Sequence, residues 1–287
     1  MIKGIAYFIF AAGITMITSL ILIPVLRRIK MVDVPGALTI HSKPIPRGAG
    51  IAFMIALLTA IKELSWLYAG IAAVFLTGLL DDIKRLKPIV KLLLTIVSTA
   101  ILWIIGIRLK APIYLSLPFT LMIMIFLINS YNLLDGMDGL LSLLSGVIFI
   151  GFALLFYKLN FTFFLFSMVF AGISFGFLSL NFPPAHIFMG DSGSYTLGVL
   201  TAILTVGYLN LMPSKVYIVK PIILFLIPII DTGLAILRRF KKGESIFIGD
   251  REHVYDKMLK KGMSQRKTLF IFALIQIILT TIAVVIK

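Results

Sequence analysis

The chain has 287 residues, 60% of them apolar, with a formal net charge of +15 and no cysteine; its mean hydropathy is +1.08. A soluble core does not hide that much apolar surface, because globular chains run at about 45–50% apolar, and without cysteine there is no disulfide framework or thiolate metal site. So basic a balance would suggest nucleic acid in a soluble protein, but here it reads as loop anchoring at a membrane face, and no nucleic-acid partner is expected.

Apolar runs recur along the whole chain, at 4–26, 48–63, 66–80, 88–106, 118–134, 139–157, 162–180, 192–211, 217–237 and 268–286. Most approach the roughly 20 residues a helix needs to cross hydrocarbon. They are continuous rather than alternating, so helices are expected and not barrel strands. The first run is longer than a signal-peptide core and has no clear cleavage site, so it reads as a retained span. The expected fold is an all-α polytopic membrane protein of about ten transmembrane helices. Residues 1–287 form a single transmembrane catalytic domain, with no separate soluble domain.

Placement of Lys and Arg sets the orientation. With the amino terminus outside, the inner loops are 27–47, 81–91, 129–138, 181–191 and 238–267, and they hold 19 of the 27 basic residues. An even number of spans returns the carboxyl terminus to the outside. The expected location is the cell (inner) membrane, multi-pass, with the active site facing the cytoplasm. Asp33, Asp81, Asp82, Asp135, Asp138, Asp191, Glu244, Asp250, Glu252 and Asp256 all fall in or beside these loops. Asp231 sits inside the ninth span, and Glu63 alone falls outside. Carboxylates at the ends of several spans cost solvation energy unless something uses them, so a cytoplasmic-face site for a cation is expected.

Five segments carry the chemistry. The loop from Asp33 to Gly50 fixes His41, Lys43 and Arg47 on a backbone rich in Pro and Gly; the bland alternative is a simple basic anchor. Asp81-Asp82 closes the third span, and two adjacent carboxylates either raise one pKa or recruit a cation such as Mg²⁺. A solvated helix end neutralised by Lys84 and Arg85 is the alternative. In Asn132-Leu-Leu-Asp135-Gly-Met-Asp138-Gly139 the three polar residues are three apart, and helical spacing would align them on one face. That loop has no basic residue to compensate its acids. In Asn181-Phe-Pro-Pro-Ala-His-Ile-Phe188-Met-Gly190-Asp191-Ser-Gly193-Ser, the Gly and Ser residues would let a phosphate reach the amides opening the eighth helix. Asp191 there suggests metal plus phosphate, with a capping acid as the alternative. Phe188 either stacks on a base or packs. The last loop, from Arg238 to Asp256, carries a mixed Asp250-Arg251-Glu252-His253 cluster that electrostatic anchoring does not explain.

Together and in this order, over about Asp33 to Gly262, these motifs resemble the polyprenyl-phosphate N-acetylhexosamine-1-phosphate transferase family, which includes the muramoyl-pentapeptide phosphotransferase. The matching positions are His41, Pro44, Pro46 and Arg47; Asp81, Asp82 and Lys91; Asn132, Asp135 and Asp138; and Phe188 through Ser194. The resemblance implies that Asn132 and Asp191 contact Mg²⁺, with Mn²⁺ as an alternative. It implies catalysis by the doublet, with Lys91 as a phosphate contact and Asp135 and Asp138 beside it. It makes His41, Arg47, Phe188, Asp250, Arg251 and His253 substrate-binding. The final loop departs from the family's Asp-Arg-x-His-x-His-His, because Tyr255 and Asp256 stand where two His are common. Glu244 and Asp33 read as ordinary loop charges. The implied reaction is Mg²⁺-dependent transfer of N-acetylhexosamine-1-phosphate, GlcNAc-1-phosphate by preference, from a UDP-sugar to polyprenyl phosphate in the membrane lipid, releasing UMP. This would be the first membrane step of cell-envelope polysaccharide synthesis. A homodimer is left open. The competing readings are an intramembrane prenyltransferase, which would want an acid where Lys84 and Arg85 stand, and a transporter or lipid flippase, at which Asp231 hints.

Overall fold

A computed structural model describes residues 1–36, 41–61, 65–212, 214–245 and 250–286. Glu63, the one acid expected on the outer side, lies outside the described residues. The chain is helical almost throughout: α1 (Ile2–Arg28), α2 (Gly50–Ala60), α3 (Ser65–Lys84), α4 (Pro88–Ile104), α5 (Ile113–Leu134), α6 (Leu140–Phe156), α7 (Phe161–Asn181) and α8 (Gly190–Leu211). After a 3₁₀ turn at Lys215–Ile218 come α9 (Val219–Leu224), α10 (Leu226–Lys241), α11 (Val254–Lys260) and α12 (Gln265–Val285). Two short strands, β1 (Val32–Asp33) and β2 (Ile45–Pro46), pair antiparallel with Val32 opposite Pro46. Among the described residues, five helices are long and apolar enough to cross a membrane: α1, α5, α7, α8 and α12. α2, α4 and α6 are apolar but shorter. The protein is an all-α membrane protein.

The hub is α8. Every residue from Ser192 to Tyr208 is buried, as expected of a helix surrounded by others. It packs on α3 and α5 and also touches α2, α6 and α7. Small residues allow these approaches: a Cβ on Gly198 would stand 2.7 Å from Ile128 Cα of α5, and Gly78 of α3 lies against the Asp191 and Ser192 backbone. Hydroxyls in α8 return to the helix's own carbonyls, as from Thr196 to Ser192 (2.7 Å) and Thr205 to Thr201 (2.8 Å), which satisfies these buried polar groups within the helix. The outer helices present Ile5, Ile9, Ile17 and Ile21 of α1 and Leu93 and Val97 of α4 outward.

The ninth expected span, 217–237, is broken. Pro228 has no N–H to give the Leu224 carbonyl, and its ring crowds that carbonyl. The helix stops at Leu224 and restarts after Phe225 (φ −108°, ψ 31°). The orphaned Leu224 oxygen accepts a hydrogen bond from buried Gln276 Nε2 of α12 at 2.8 Å.

Candidate active site at one end of the bundle

All five loops predicted to lie inside meet at one end of the bundle, around the amino end of α8. Gly190 opens that helix at φ +70°, and a Cβ there would stand 2.6 Å from the Asp82 carboxylate. Asp82, with its side chain 0% exposed, occupies the anion position at the helix start. Its Oδ1 accepts from Asp191 N (2.8 Å) and its Oδ2 from Ser192 N (3.0 Å). Arg47 completes the shell, with Nη2 at 2.5 Å and Nε at 3.1 Å from Oδ1. The sequence reading placed a phosphate at these amides; the structure places Asp82 there. Close packing at Gly78 brings the end of α3 within reach.

Arg47 is fixed by its backbone, because its segment bridges to Phe188 and Phe188 N donates to Pro46 O at 2.8 Å. The guanidinium also faces Asp191 at 3.5 Å and Asp33 at 3.9 Å. Burial works against its charge, but Asp82, Asp191 and Asp33 outweigh it and hold its pKa above the ordinary value. Asp33 is no idle loop charge. It takes His41 Nε2 at 2.9 Å, while His41 Nδ1 lies 2.8 Å from Lys43 O and the ring meets Phe188 edge-on at 5.2 Å.

Asp81, one residue before Asp82, faces another way. Its Oδ1 accepts from Leu86 N at 2.8 Å and its Oδ2 lies 3.3 Å from Lys91 Nζ. Lys91 also bonds Asp191, lies 3.4 Å from Asn132 Oδ1, and sits 5.1 Å from the Tyr195 ring centroid. Asn132 is held by Ser194 Oγ at 3.1 Å. One ammonium therefore stands at the focus of two carboxylates and an amide oxygen.

Asn132, Asp135 and Asp138 do not share a face. α5 ends at Leu134 and the chain turns through Gly136 to Gly139 (φ +75°). Asn132 joins the Lys91 cluster, Asp135 lines a cavity, and Asp138 accepts from Ala185 N at 3.0 Å. Asn181, to which the sequence alone assigns no role, braces this turn by accepting from Gly139 N (2.9 Å) and Ser142 Oγ (3.1 Å). Burial first, then the charges of Asp191, Asp82 and Asp138, push the Asp135 pKa well above the usual carboxylate value, with Arg47 opposing. Burial also raises Asp138, against the Ala185 amide.

In the last loop, only Arg251 of the three expected substrate contacts reaches the cavity wall. Asp250 sits behind it, 3.2 Å from Arg238 Nη2 and 3.4 Å from Arg239 Nε. Burial works the other way, but Arg238 and Arg239 hold the Asp250 carboxyl below its usual pKa. His253 is buried, 3% exposed, with Nδ1 2.6 Å from Asp231. The spacing of the motif did not reveal that the chain turns inward after Arg251.

Two cavities meet at this cluster. A polar one of about 200 Å³ is walled by Asp33, His41, Arg47, Asp135, Asp138, Phe188, Asp191 and Arg251. An apolar groove of about 620 Å³ runs along Leu92, Met122, Ile125, Phe126, Leu133 and Ile236, with Asp81, Lys91 and Asn132 at its polar end. The Lys91–Asp191 ion pair joins the two.

Fold and site together define a helical membrane enzyme whose charged cluster is reached from a polar side and an apolar side. The profile of glycosyl transferase family 4 matches residues 64–209, just over half of the chain, and the protein belongs to that family. It is a membrane transferase. It is 29% identical to a probable undecaprenyl-phosphate N-acetylglucosaminyl 1-phosphate transferase of Bacillus subtilis (strain 168), over 96% of this chain and 83% of that protein. It is also 29% identical to the decaprenyl-phosphate N-acetylglucosaminephosphotransferase of Mycolicibacterium smegmatis, over 86% of this chain and 73% of that one. A phospho-N-acetylmuramoyl-pentapeptide-transferase of Prochlorococcus marinus (strain MIT 9215) is 32% identical over 60% of this chain and 49% of its own.

Proposed function

We propose that the enzyme transfers N-acetylglucosamine-1-phosphate from UDP-N-acetylglucosamine to a polyprenyl phosphate, releasing UMP. The observation that carries this reading is the meeting of a polar cavity and an apolar groove at one cluster of charges. The names of the B. subtilis and mycobacterial relatives support the acceptor and the sugar. The isoprenoid chain lies along the groove walls of α4, α5 and α10, which puts its phosphate beside Lys91 and Asp81. The nucleotide sugar fills the polar cavity, with Phe188 and His41 at its wall and Arg251 beside the diphosphate.

An oxygen of the lipid phosphate attacks the phosphorus attached to the sugar. A new P–O–P linkage forms, and the bond from that phosphorus to the bridging oxygen breaks. UMP leaves with the bridging oxygen. Asp81 accepts any proton still on the attacking phosphate, and Lys91 balances the charge of the approaching anions. Asp82 has no proton-transfer role in this proposal, since Arg47 and the Asp191 amide already donate to its Oδ1 and the Ser192 amide to its Oδ2. No covalent enzyme intermediate is needed, since a phosphate monoester is already an adequate nucleophile once positioned.

Mg²⁺ fits the donor set. Asp81, Asp191 and Asn132 offer oxygens around a position that already attracts a cation, the Lys91 ammonium. One or two carboxylates plus water and substrate phosphate is the coordination Mg²⁺ prefers. Among the described residues no three His, Cys, Asp or Glu side chains form a ready metal cage, so a bound ion would need oxygens from water or substrate beside those of the protein. Asn132 and Asp191 would hold the ion, or Mn²⁺ in its place, and when bound it polarises the diphosphate and stabilises the leaving UMP.

The site faces the cytoplasm in this proposal, because 19 of 27 Lys and Arg lie in the loops that build it. With α9 and α10 taken as one broken crossing, the ten-span arrangement places both termini outside. Transport loses its one hint, because Asp231 is bonded to His253 and to Val254 N. The test uses detergent-purified protein with Mg²⁺ and a panel of UDP-sugars. UMP release that requires polyprenyl phosphate and prefers UDP-N-acetylglucosamine supports the proposal. Release of diphosphate from a polyprenyl diphosphate would replace it with prenyl transfer.

A further inference from the structure

His253 is buried and does not line the cavity, yet it has partners on three sides. Its Nδ1 lies 2.6 Å from Asp231 Oδ2, and since a carboxylate accepts, this nitrogen donates. Asp231, 3% exposed on α10, also accepts from Val254 N, the first amide of α11, at 3.3 Å. The other imidazole nitrogen faces Asp250 at 3.6 Å. The ring stacks on Tyr255, centroids 5.4 Å apart and planes 6° apart. Tyr255 in turn presses its hydroxyl against Gly136, where even a Cβ would collide. α11 is therefore fitted to the turn that carries Asp135. One residue on, Asp256 accepts from His253 N at 3.2 Å and pairs with Arg251 at 2.9 Å. Arg251 is the member of this loop that lines the polar cavity.

We infer that Asp231 and His253 are a positioning pair: through Tyr255 and Asp256 they seat α11 on the Asp135 turn and set Arg251 at the donor side of the cavity. His253 does not touch substrate. The carboxylate orients the imidazole, the imidazole and Tyr255 orient the turn, and Asp256 aims the guanidinium. The inference rests on the proposed UDP-sugar donor.

The test combines kinetics with calorimetric binding of UDP-N-acetylglucosamine to the full chain in detergent. Asp231→Asn and His253→Ala should each raise the donor KM about tenfold, with acceptor KM and kcat within about twofold, the pattern of lost donor binding. The double variant should be no worse than either single one, because both cut the same connection. His253→Asn should stay near wild type, since its amide nitrogen replaces Nδ1, whereas His253→Gln, which replaces Nε2, should resemble His253→Ala. A His253→Asn variant as impaired as His253→Ala, with the loss in kcat, would make His253 a substrate contact and overturn the inference. If Asp231→Asn does not fold, the Asn and Gln variants at His253 still decide. Wild-type protein that binds no UDP-sugar contradicts the functional proposal. Wild type that binds, with His253→Ala binding equally well, contradicts only the positioning pair.

Discussion

Asp81 and Asp82 are adjacent in sequence and chemically identical, yet they differ in what surrounds them. Successive residues of a helix point about 100° apart, so one faces Lys91 of α4 and the other faces the amide end of α8. Asp82→Ala leaves Arg47 and two helix-end amides without their partner. Removing one member of a buried pair costs about 3 kcal/mol or more, so this variant should melt well below wild type in detergent. Asp81→Asn should melt near wild type and lose UMP release. Equal melting points for the two would contradict the division. A second expectation concerns pH. Asp135 holds its proton to a higher pH than an unfolded aspartate does, because burial and nearby carboxylates disfavour its charge. Native protein therefore binds the extra proton between the two pKa values, and this term favours folding as pH falls and opposes it above the folded pKa. Asp135 lines the cavity proposed for the nucleotide sugar, and if its charged form takes part there, UMP release should fall through an acid limb above the usual aspartate range, a limb that Asp135→Asn should remove. At this scale the sequence supplied the residue types but not their partners. Asp33 was passed over because its tie to His41 depends on where a short hairpin returns the chain. The motif names Asp250, Arg251 and His253 alike, and it does not say that Arg251 alone of the three lines the cavity.

Among the elements, the length and continuity of the apolar runs located a helix at each expected span. Continuity across 217–237 was misjudged. Pro228 was visible, but the partner that stabilises the break, Gln276, lies 48 residues later in α12 and only packing reveals it. Gln276→Leu should leave the Leu224 carbonyl buried without a donor. The cost is about 1–3 kcal/mol, measured as a lowered melting temperature, with the α10 end of the groove most affected. An unchanged melting temperature would mean that the break needs no side-chain support. The turn after α5 offers the same lesson. Spacing by three suggested one helical face, but Gly136 and Gly139 let the chain leave the helix, and that departure sends Asp135 and Asp138 to different neighbours.

For the molecule as a whole, the most legible feature was the gathering of acids into alternate loops. Five loops separated by apolar spans do meet at one end of the bundle, and no local pattern could have placed Lys91 between Asp81, Asn132 and Asp191. Bringing them together takes a central helix buried on all sides and small residues at its crossings. The apolar groove was not legible, because its walls come from α4, α5 and α10, which are distant in sequence. In the proposed reaction the groove delivers a phosphate to the phosphorus next to the sugar. The most direct measurement uses UDP-N-acetylglucosamine labelled with ³²P at the β-phosphate, incubated with purified protein, Mg²⁺ and polyprenyl phosphate. The label should move into the lipid fraction, with one unlabelled UMP released per lipid formed. Label that stays on released UDP while the sugar alone enters the lipid would contradict it.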